Sequence, residues 1–195
     1  APKPKTLSFV QAAALPLVAQ TALTALRAGE LKSGQTVLIH GGAGGVGTMA
    51  IQMAKALGAR VITTASGQGI DLVKSLGADE VIDHKMANFK DVVKDVDVVI
   101  DVIGGQTQED AWGVLKKGGF LVATAIPPAK EKAEQYGVRA TFIFTQPSRA
   151  ALEEITAMVD GSKLRPIISA ELALANARQA HEAKGGSGKT IMRVE

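Results

Sequence analysis

The residues best suited to chemistry in this chain are three glycines, Gly42, Gly44 and Gly47, spaced as G-x-G-x-x-G. They follow an apolar run at Thr36–Ile39 and open a segment whose apolar residues recur at helical spacing. In this strand–turn–helix context the spacing predicts a dinucleotide-binding turn, the alternative being an ordinary glycine-rich turn. Gly42 would permit the tight turn, Gly44 would let a pyrophosphate approach the backbone, and Gly47 would let the helix pack on the strand. Free N–H groups and the positive dipole end of the helix would then hold the anion.

The end of the second predicted strand bears on which dinucleotide would bind. An NAD enzyme usually carries Asp or Glu there, about 20 residues after the glycines, to accept hydrogen bonds from the ribose 2′-OH. This chain has Thr64-Ala65-Ser66-Gly67 and no acid before Asp71. The small Ser66 hydroxyl leaves room for a 2′-phosphate and puts no negative charge against it, which favours NADP(H). One alternative stays open: Ser66 only caps a loop, and a backbone group holds the ribose.

Composition argues against several other function classes. The 195 residues suit one domain, and a hydrophobic fraction of 46% predicts a sizeable core. A net charge of only +3 and 4% aromatic residues argue against a nucleic-acid partner. No apolar run approaches the roughly 18 residues of a membrane span. No signal or transit pattern is visible, so we expect a cytoplasmic protein, although a start without Met weakens that inference.

The residue types that usually carry metal or nucleophilic chemistry are missing or dispersed. Cysteine is absent, which excludes disulfides and cysteine-bound zinc. His40, His84 and His181 are scattered, so no metal-ligand cluster is predicted, and no nucleophile–base pair is visible. GGSGKT at 185–190 is similar to a P-loop but lacks its spacing and precedes a strand. The chemistry is therefore predicted to belong to a bound cofactor.

Short apolar strands alternate with helical segments, which predicts an α/β fold with a doubly wound parallel sheet of Rossmann type. About six strands in the order 3-2-1-4-5-6 are expected. They lie at Thr36–Ile39, Arg60–Thr64, Glu80–Ile82, Asp97–Asp101, Phe120–Thr124 and Thr141–Thr145. The cofactor should lie across their carboxyl ends, where Gly44–Gly47, Ser66, Ile103-Gly104 and Thr124-Ala125 fall.

The helices and the ends of the chain complete the predicted domain, which covers residues 1–195. Linking helices within residues 1–35 precede the first strand, and residues 166–195 form a C-terminal segment. The predicted helices are Ser8–Ala14, Pro16–Arg27, Ile70–Leu76, Gln106–Leu115, one capped by Ser148 and running through Val159, and Leu172–Ala183. An extended piece at Pro166–Ser169 and a strand at Thr190–Val194 are expected near the end.

Several single residues are candidates with competing interpretations. His84, just past the third strand, could donate to the ribose or its phosphate, or be a surface loop residue. Lys184 is by itself an ordinary solvated lysine, and Asp101 is predicted to cap or bond the backbone. Phe142 and Phe144 alternate on an apolar strand, which favours the core over a nicotinamide wall.

The chain resembles the zinc-independent, quinone oxidoreductase-like branch of the medium-chain dehydrogenase/reductase superfamily. The resemblance covers nearly the whole chain and is specific through the combination of its motifs. The matching stretches are residues 12–26 (AAALPLVAQTALTAL), 37–66 (VLIHGGAGGVGTMAIQMAKALGARVITTAS), 72–84 (LVKSLGADEVIDH), 96–105 (VDVVIDVIGG), 118–124 (GGFLVAT) and 188–195 (GKTIMRVE).

The resemblance implies a role for each matching position. The pyrophosphate would lie against Gly44, Gly45, Val46 and Gly47. Ser66, His84 and the basic Lys184 would contact the adenosine ribose and its 2′-phosphate. The nicotinamide side would be formed by Gly104, Gly105, Thr124, Ala125 and the strand bearing Phe142 and Phe144. The resemblance also implies a homodimer paired through Thr141–Thr145.

The resemblance also brings out a departure from the family. Relatives carry an N-terminal substrate domain before the helix that begins here near Ser8, and this sequence has no counterpart of it. Since Thr190–Val194 would return to that domain, it must find another partner here or stay exposed.

Three functions follow as hypotheses. The first is an NADPH-dependent oxidoreductase that reduces a quinone or an activated C=C bond, represented here by its cofactor-binding half. The second is an NADP(H)-binding module with little or no turnover. The third is a scaffold with a degenerate site that binds neither nicotinamide cofactor.

Overall fold

The computed structural model describes residues 1–183 and 186–194. Within them, a six-stranded sheet of parallel neighbours has the order β3-β2-β1-β4-β5-β6, which confirms the predicted topology. Its strands are β1 (Thr36–Ile39), β2 (Arg60–Ala65), β3 (Glu80–Asp83), β4 (Val96–Asp101), β5 (Leu115–Ala123) and β6 (Arg139–Phe142). Strand order reverses between β1 and β4, so the switch-point crevice opens at the carboxyl ends of these two strands.

The helices of the described residues alternate with these strands. They are α1 (Phe9–Ala13), α2 (Pro16–Ala28), α3 (Gly45–Leu57), α4 (Gly69–Ser75), α5 (Phe89–Val92), α6 (Gln106–Ala111), α7 (Lys130–Tyr136), α8 (Arg149–Asp160) and α9 (Ala177–Glu182). Short 3-10 turns lie at Trp112–Val114 and Leu174–Asn176. Ser8 caps α1 in a capping box and Ser148 caps α8, so these two helices begin where their hydroxyls satisfy first-turn N–H groups.

The two faces of the sheet bury separate apolar layers. Side chains alternate along β1, so Val37 and Ile39 pack with α2, α3 and α8 on one face, while Leu38 packs with α5 and Trp112 on the other. All six residues of β4 are buried, as expected of a central parallel strand covered on both faces. This packing holds the carboxyl ends of the strands rigidly beside one another.

The boundaries of β5, β6 and α6 differ from the sequence expectation. The helix predicted at Gln106–Leu115 ends as α6 at Ala111 and is followed by the 3-10 turn Trp112–Val114. The ladder jumps from Val96–Leu115 to Val98–Phe120, so β5 begins earlier than predicted and passes through Gly118, whose φ is +76°. The sixth strand is Arg139–Phe142 rather than Thr141–Thr145. Its pairing runs with β5 only as far as Ala123, where β5 ends, so the ladder cannot continue to Thr145.

The C-terminal segment corrects two further expectations. The stretch predicted to be helical from Leu172 instead begins as β7 (Ile168–Ala173) before α9. The last strand is β8 (Lys189–Arg193), and it pairs in parallel with β7. Its ladder partner therefore lies within the chain itself, which answers the question that the sequence left open.

No helix within residues 1–183 and 186–194 is both long enough and apolar enough to cross a membrane.

Candidate dinucleotide site

The glycine turn between β1 and α3 is held by close backbone contacts. The left-handed position is Gly41, with φ +66°, and not Gly42 as the spacing had suggested. Gly42 is required for a different reason, since a Cβ there would lie 2.1 Å from Thr63 Oγ1 of β2. A Cβ on Gly47 would lie 2.3 Å from the Gly41 carbonyl oxygen, so this glycine does permit the close helix–turn packing that was expected.

The start of α3 has the features of an anion site. Gly44 is its N-cap, in extended backbone (φ −74°, ψ 173°), and no side chain caps the helix. First-turn N–H groups of a helix have no intrahelical acceptor, so those of α3 are available to a ligand. The nearest atom to a Cβ built on Gly44 is the Gly41 carbonyl oxygen at 3.2 Å, which leaves the space in front of the turn clear.

The stem of a lysine that the sequence prediction missed packs against the start of α3. The Gly188 N–H donates to the Ala43 carbonyl oxygen at 2.8 Å and ties the start of β8 to the glycine turn. The stem of Lys189 follows, with its Cδ 2.9 Å from the position of a Cβ on Gly45. Lys189 belongs to the GGSGKT stretch, and the Gly-Lys pair in it is the one sequence feature that could have indicated a lysine beside a phosphate. Lys184, predicted to contact the 2′-phosphate, lies outside the described residues.

Strand pairing brings the ends of β2 and β3 together. The His84 N–H donates to the Ala65 carbonyl oxygen at 3.2 Å, so His84 lies beside the residue that precedes Ser66. A cavity of about 560 Å³ opens next to them and is lined by His84, Lys85 and residues of α6 and the loop before α5. Lys85 is the second residue that the sequence reasoning missed, because neighbouring positions in a loop carry no periodicity that assigns them to one cavity.

At the end of β4, a buried carboxylate organises the next turn. Asp101 is fully buried, and its Oδ1 accepts the N–H groups of Ile103 at 3.0 Å and Gly104 at 2.9 Å. These bonds are the backbone contacts predicted for Asp101. They hold Gly104 and Gly105 at φ +77° and +59°, where residues with a side chain are rarely found.

The predicted nicotinamide-side residues follow β5 and β6. The Thr124 N–H donates to the Asp101 carbonyl oxygen at 3.0 Å, which sets Thr124 and Ala125 beside the β4 turn. Phe142 and Phe144 are 38% and 78% exposed, so the interpretation of them as core residues is wrong. They belong to the outermost strand and the loop after it, where alternation does not imply a covered face.

His40, directly after β1, is buried, and its ring nitrogens find no hydrogen-bond partner among residues 1–183 and 186–194. Its ring is 0% exposed and packs edge-on against Phe89 with centroids 4.4 Å apart. Burial lowers the pKa of His40 from 6.5 to about 4, and the negative charge of Asp101 opposes part of this shift. The imidazole is therefore neutral at pH 7.

Comparison with known proteins identifies the family to which this chain belongs. Residues 45–158 match the family described as zinc-binding dehydrogenase. The chain belongs to this family. It belongs to the quinone oxidoreductase-like branch, in agreement with the resemblance found in the sequence. The sequence contains no cysteine, and the described residues hold no group of three or more His, Asp or Glu side chains able to bind a metal.

Three similar proteins illustrate the relationship. The 2-methylene-furan-3-one reductase of Solanum lycopersicum is 39% identical over 85% of this chain and 41% of its own length. The quinone oxidoreductase of Coxiella burnetii is 37% identical with a TM-score of 0.90, over 100% of this chain and 64% of that one. The quinone oxidoreductase of Thermus thermophilus, described with its NADPH complex, is 30% identical with a TM-score of 0.84, over 99% and 68%.

The relatives are longer than the chain described here. It spans between 41% and 59% of the first curated relatives that it matches.

Proposed function

We propose that this chain is the NADP(H)-binding domain of an oxidoreductase that reduces a quinone or an activated C=C bond. One observation carries the proposal: the glycine turn opens an uncapped helix at the switch point of the sheet, with clear space in front of Gly44. Backbone N–H groups so arranged suit a pyrophosphate. The acceptor class follows from relatives described as quinone oxidoreductases and an enone reductase.

We assign the dinucleotide across the carboxyl edge of the sheet. The pyrophosphate contacts Gly44, Gly45, Val46 and Gly47, with the Lys189 ammonium as counter-charge. The adenosine half lies toward Ser66, His84 and Lys85 and the cavity beside them. The nicotinamide half lies toward Gly104, Gly105, Thr124 and Ala125, and toward Phe142 and Phe144.

The cofactor, when bound, supplies hydride, and the chain's own residues bind and orient the cofactor. The tight turn at Gly41 and the carboxylate of Asp101 hold two strand-end loops in fixed conformations before the cofactor arrives. Preorganised N–H groups lose little entropy on binding, which favours a defined orientation of the nicotinamide ring.

We infer a preference for NADP(H) over NAD(H) from the charges around Ser66. No carboxylate follows β2 before Asp71, and the neighbouring end of β3 carries His84 and Lys85. One carboxylate, Asp83, lies at that strand end opposite Ala65, and its Oδ1 accepts the Lys85 N–H. A 2′-phosphate adds about two negative charges, which a cation nearby stabilises and a carboxylate repels.

Side-by-side titration with NADPH and NADH tests the proposal, and Ser66→Asp sharpens it. The wild-type chain should bind NADPH more tightly, whereas the variant should lose about 100-fold in NADPH affinity and at most about threefold in NADH affinity, because only NADPH brings a phosphate to the new carboxylate. Isothermal titration calorimetry measures both. Equal losses would mean that Ser66 is not beside the 2′-phosphate, and failure of the wild type to bind either cofactor would support the scaffold hypothesis.

Lys85→Gln should reduce the NADPH preference from the opposite direction. Removing one cation near a phosphate is expected to weaken NADPH binding about fivefold to tenfold and to leave NADH nearly unchanged. The same change at Lys94, an exposed lysine before β4 at the opposite edge of the sheet, is the matched control. The ratio of the two dissociation constants, measured at low and high salt, reports the effect, and an unchanged ratio would remove Lys85 from the phosphate site.

The second candidate function is an NADP(H)-binding module with little turnover. It is favoured by the openness of the nicotinamide end, where Ile126 and Phe144 are 47% and 78% exposed. Hydride transfer to an acceptor is favoured when water is excluded from the site. NADPH oxidation assayed with a quinone separates the candidates, since binding without oxidation supports the module.

Pairing of two copies through residues 141–145 stays a prediction, as does a cytoplasmic location. The support for pairing is that β6 is an edge strand that ends at the exposed Phe142, with a second exposed aromatic side chain, Phe144, in the loop after it.

A further inference from the structure

A buried glutamine joins the two loops that follow β4 and β5. Gln108 lies in the first turns of α6 and is 5% exposed. Its Nε2 donates to Asp101 Oδ2 at 3.2 Å and to the Ile126 carbonyl oxygen at 2.9 Å. Both neighbours are hydrogen-bond acceptors, so the NH2 end of the amide must face them. One side chain thus connects the β4 loop (residues 102–105) to the β5 loop (residues 124–129).

The same Asp101 carboxylate completes the connection on the β4 side. Its other oxygen, Oδ1, accepts the N–H groups of Ile103 and Gly104. A change at Gln108 is therefore transmitted through Asp101 to the backbone of the β4 loop. Buried networks of this kind depend on every member, because an unpaired carboxylate oxygen in the interior is strongly unfavourable.

The two loops also touch directly at one glycine. A Cβ on Gly104 would lie 2.9 Å from Ile126 Cδ1, so the β4 loop packs against the β5 loop without space for a side chain. Gly104 contributes the close contact and Gln108 contributes the hydrogen bonds that set the spacing between the loops. The sequence alone assigns Gln108 no role, because its partners are 7 and 18 residues away in the chain.

We propose that Gln108 is a positioning residue for the nicotinamide half of the cofactor, holding the β4 and β5 loops at the spacing that this half requires. The inference rests on the proposed function, which assigns the nicotinamide half to Gly104, Gly105, Thr124 and Ala125. The adenosine half should depend on Gln108 much less, since Gln108 does not line the cavity beside His84 and Ile103 is the one β4-loop residue among those that do.

Gln108→Met is the first test, because Met keeps the length of the side chain and removes both donors. The variant should bind NADPH about tenfold more weakly, whereas 2′,5′-ADP, which lacks the nicotinamide half, should bind within about twofold of wild type. Calorimetric titration measures both ligands. The same substitution at Gln135, an exposed residue of α7, is the matched control and should change neither affinity.

A second variant keeps the test decisive if Gln108→Met does not fold. Gln108→Asn retains a buried amide but is one methylene shorter, so it cannot reach both Asp101 and Ile126, and it should show the same selective loss. A role that is only structural would weaken NADPH and 2′,5′-ADP equally, and that result, or no loss at all, would overturn the proposal. If the wild-type chain binds neither ligand, the proposed function fails on its own account.

Discussion

Gly44→Val should abolish measurable NADPH binding, with at least a 100-fold loss of affinity, and leave the thermal unfolding temperature nearly unchanged. The backbone of Gly44 is extended at φ −74° and ψ 173°, which a β-branched residue adopts without strain. A Cβ there meets only the Gly41 carbonyl oxygen, at 3.2 Å, a tight contact that a shift of a few tenths of an ångström in the turn relieves. The rest of the new side chain would project into the space in front of the α3 N–H groups and keep a pyrophosphate away from them.

Two other glycines serve as controls for this result. Gly113 is exposed with open space around its Cβ position, so Gly113→Val should leave affinity unchanged. Gly47→Val should instead destabilise the fold, because its Cβ would lie 2.3 Å from a backbone oxygen that cannot move far. Fluorescence titration with NADPH and circular dichroism melting measure the two effects. A Gly44→Val variant that keeps its affinity would remove the glycine turn from the site.

The second large effect expected is a pH-dependent loss of stability that His40 causes. The folded-state pKa of His40 is lowered to about 4 from 6.5, so the folded chain binds fewer protons than the unfolded chain between these values. Stability is then fully present above about pH 6.5 and falls as the pH is lowered through this window. A shift of this size corresponds to about 3 kcal/mol of unfolding free energy.

His40→Leu should remove this slope. The variant has no buried imidazole to protonate, and near neutral pH it should be about 1 kcal/mol more stable, since an unpartnered buried polar group is lost. Urea unfolding at several pH values between 4 and 7.5 measures both effects. His181→Leu, at an exposed position, is the control. An unchanged slope in His40→Leu would assign the acid sensitivity to other groups.

Carboxylates are distinguishable from His40 in this experiment by their pH range. The pKa of Asp97 is held below its usual 3.8 although burial opposes the shift, through hydrogen bonds from Lys116 and the Thr36 N–H and the Lys116 charge. Its stabilising contribution is present above pH 3.8 and is lost only as the pH falls further. The pKa of Glu30 is likewise held below its usual 4.5 by its hydrogen bond and ion pair with Arg139, so the interval between about pH 5 and 6.5 reports mainly on His40.

Much of the fold was predictable because its signals are local. The glycine spacing, the β-branched runs and the serine caps act within a few residues, and strand–helix alternation allows few topologies. The strand order followed from these signals, and the prediction of a site at the carboxyl edge rests on the same signals. The extent of β6 did not, because the Phe142–Phe144 alternation is the same whether or not a neighbouring strand continues beside it.

Backbone preference and periodicity act between adjacent residues, so they predict which segments form the parallel sheet and where the glycine turn before α3 begins. Tertiary structure alone decided that Lys189 lies over Gly45, that Gln108 joins two loops, and that His40 is buried without a partner. These three features depend on contacts between distant segments. Their positions are set by how whole helices and strands pack, and no local pattern encodes that packing.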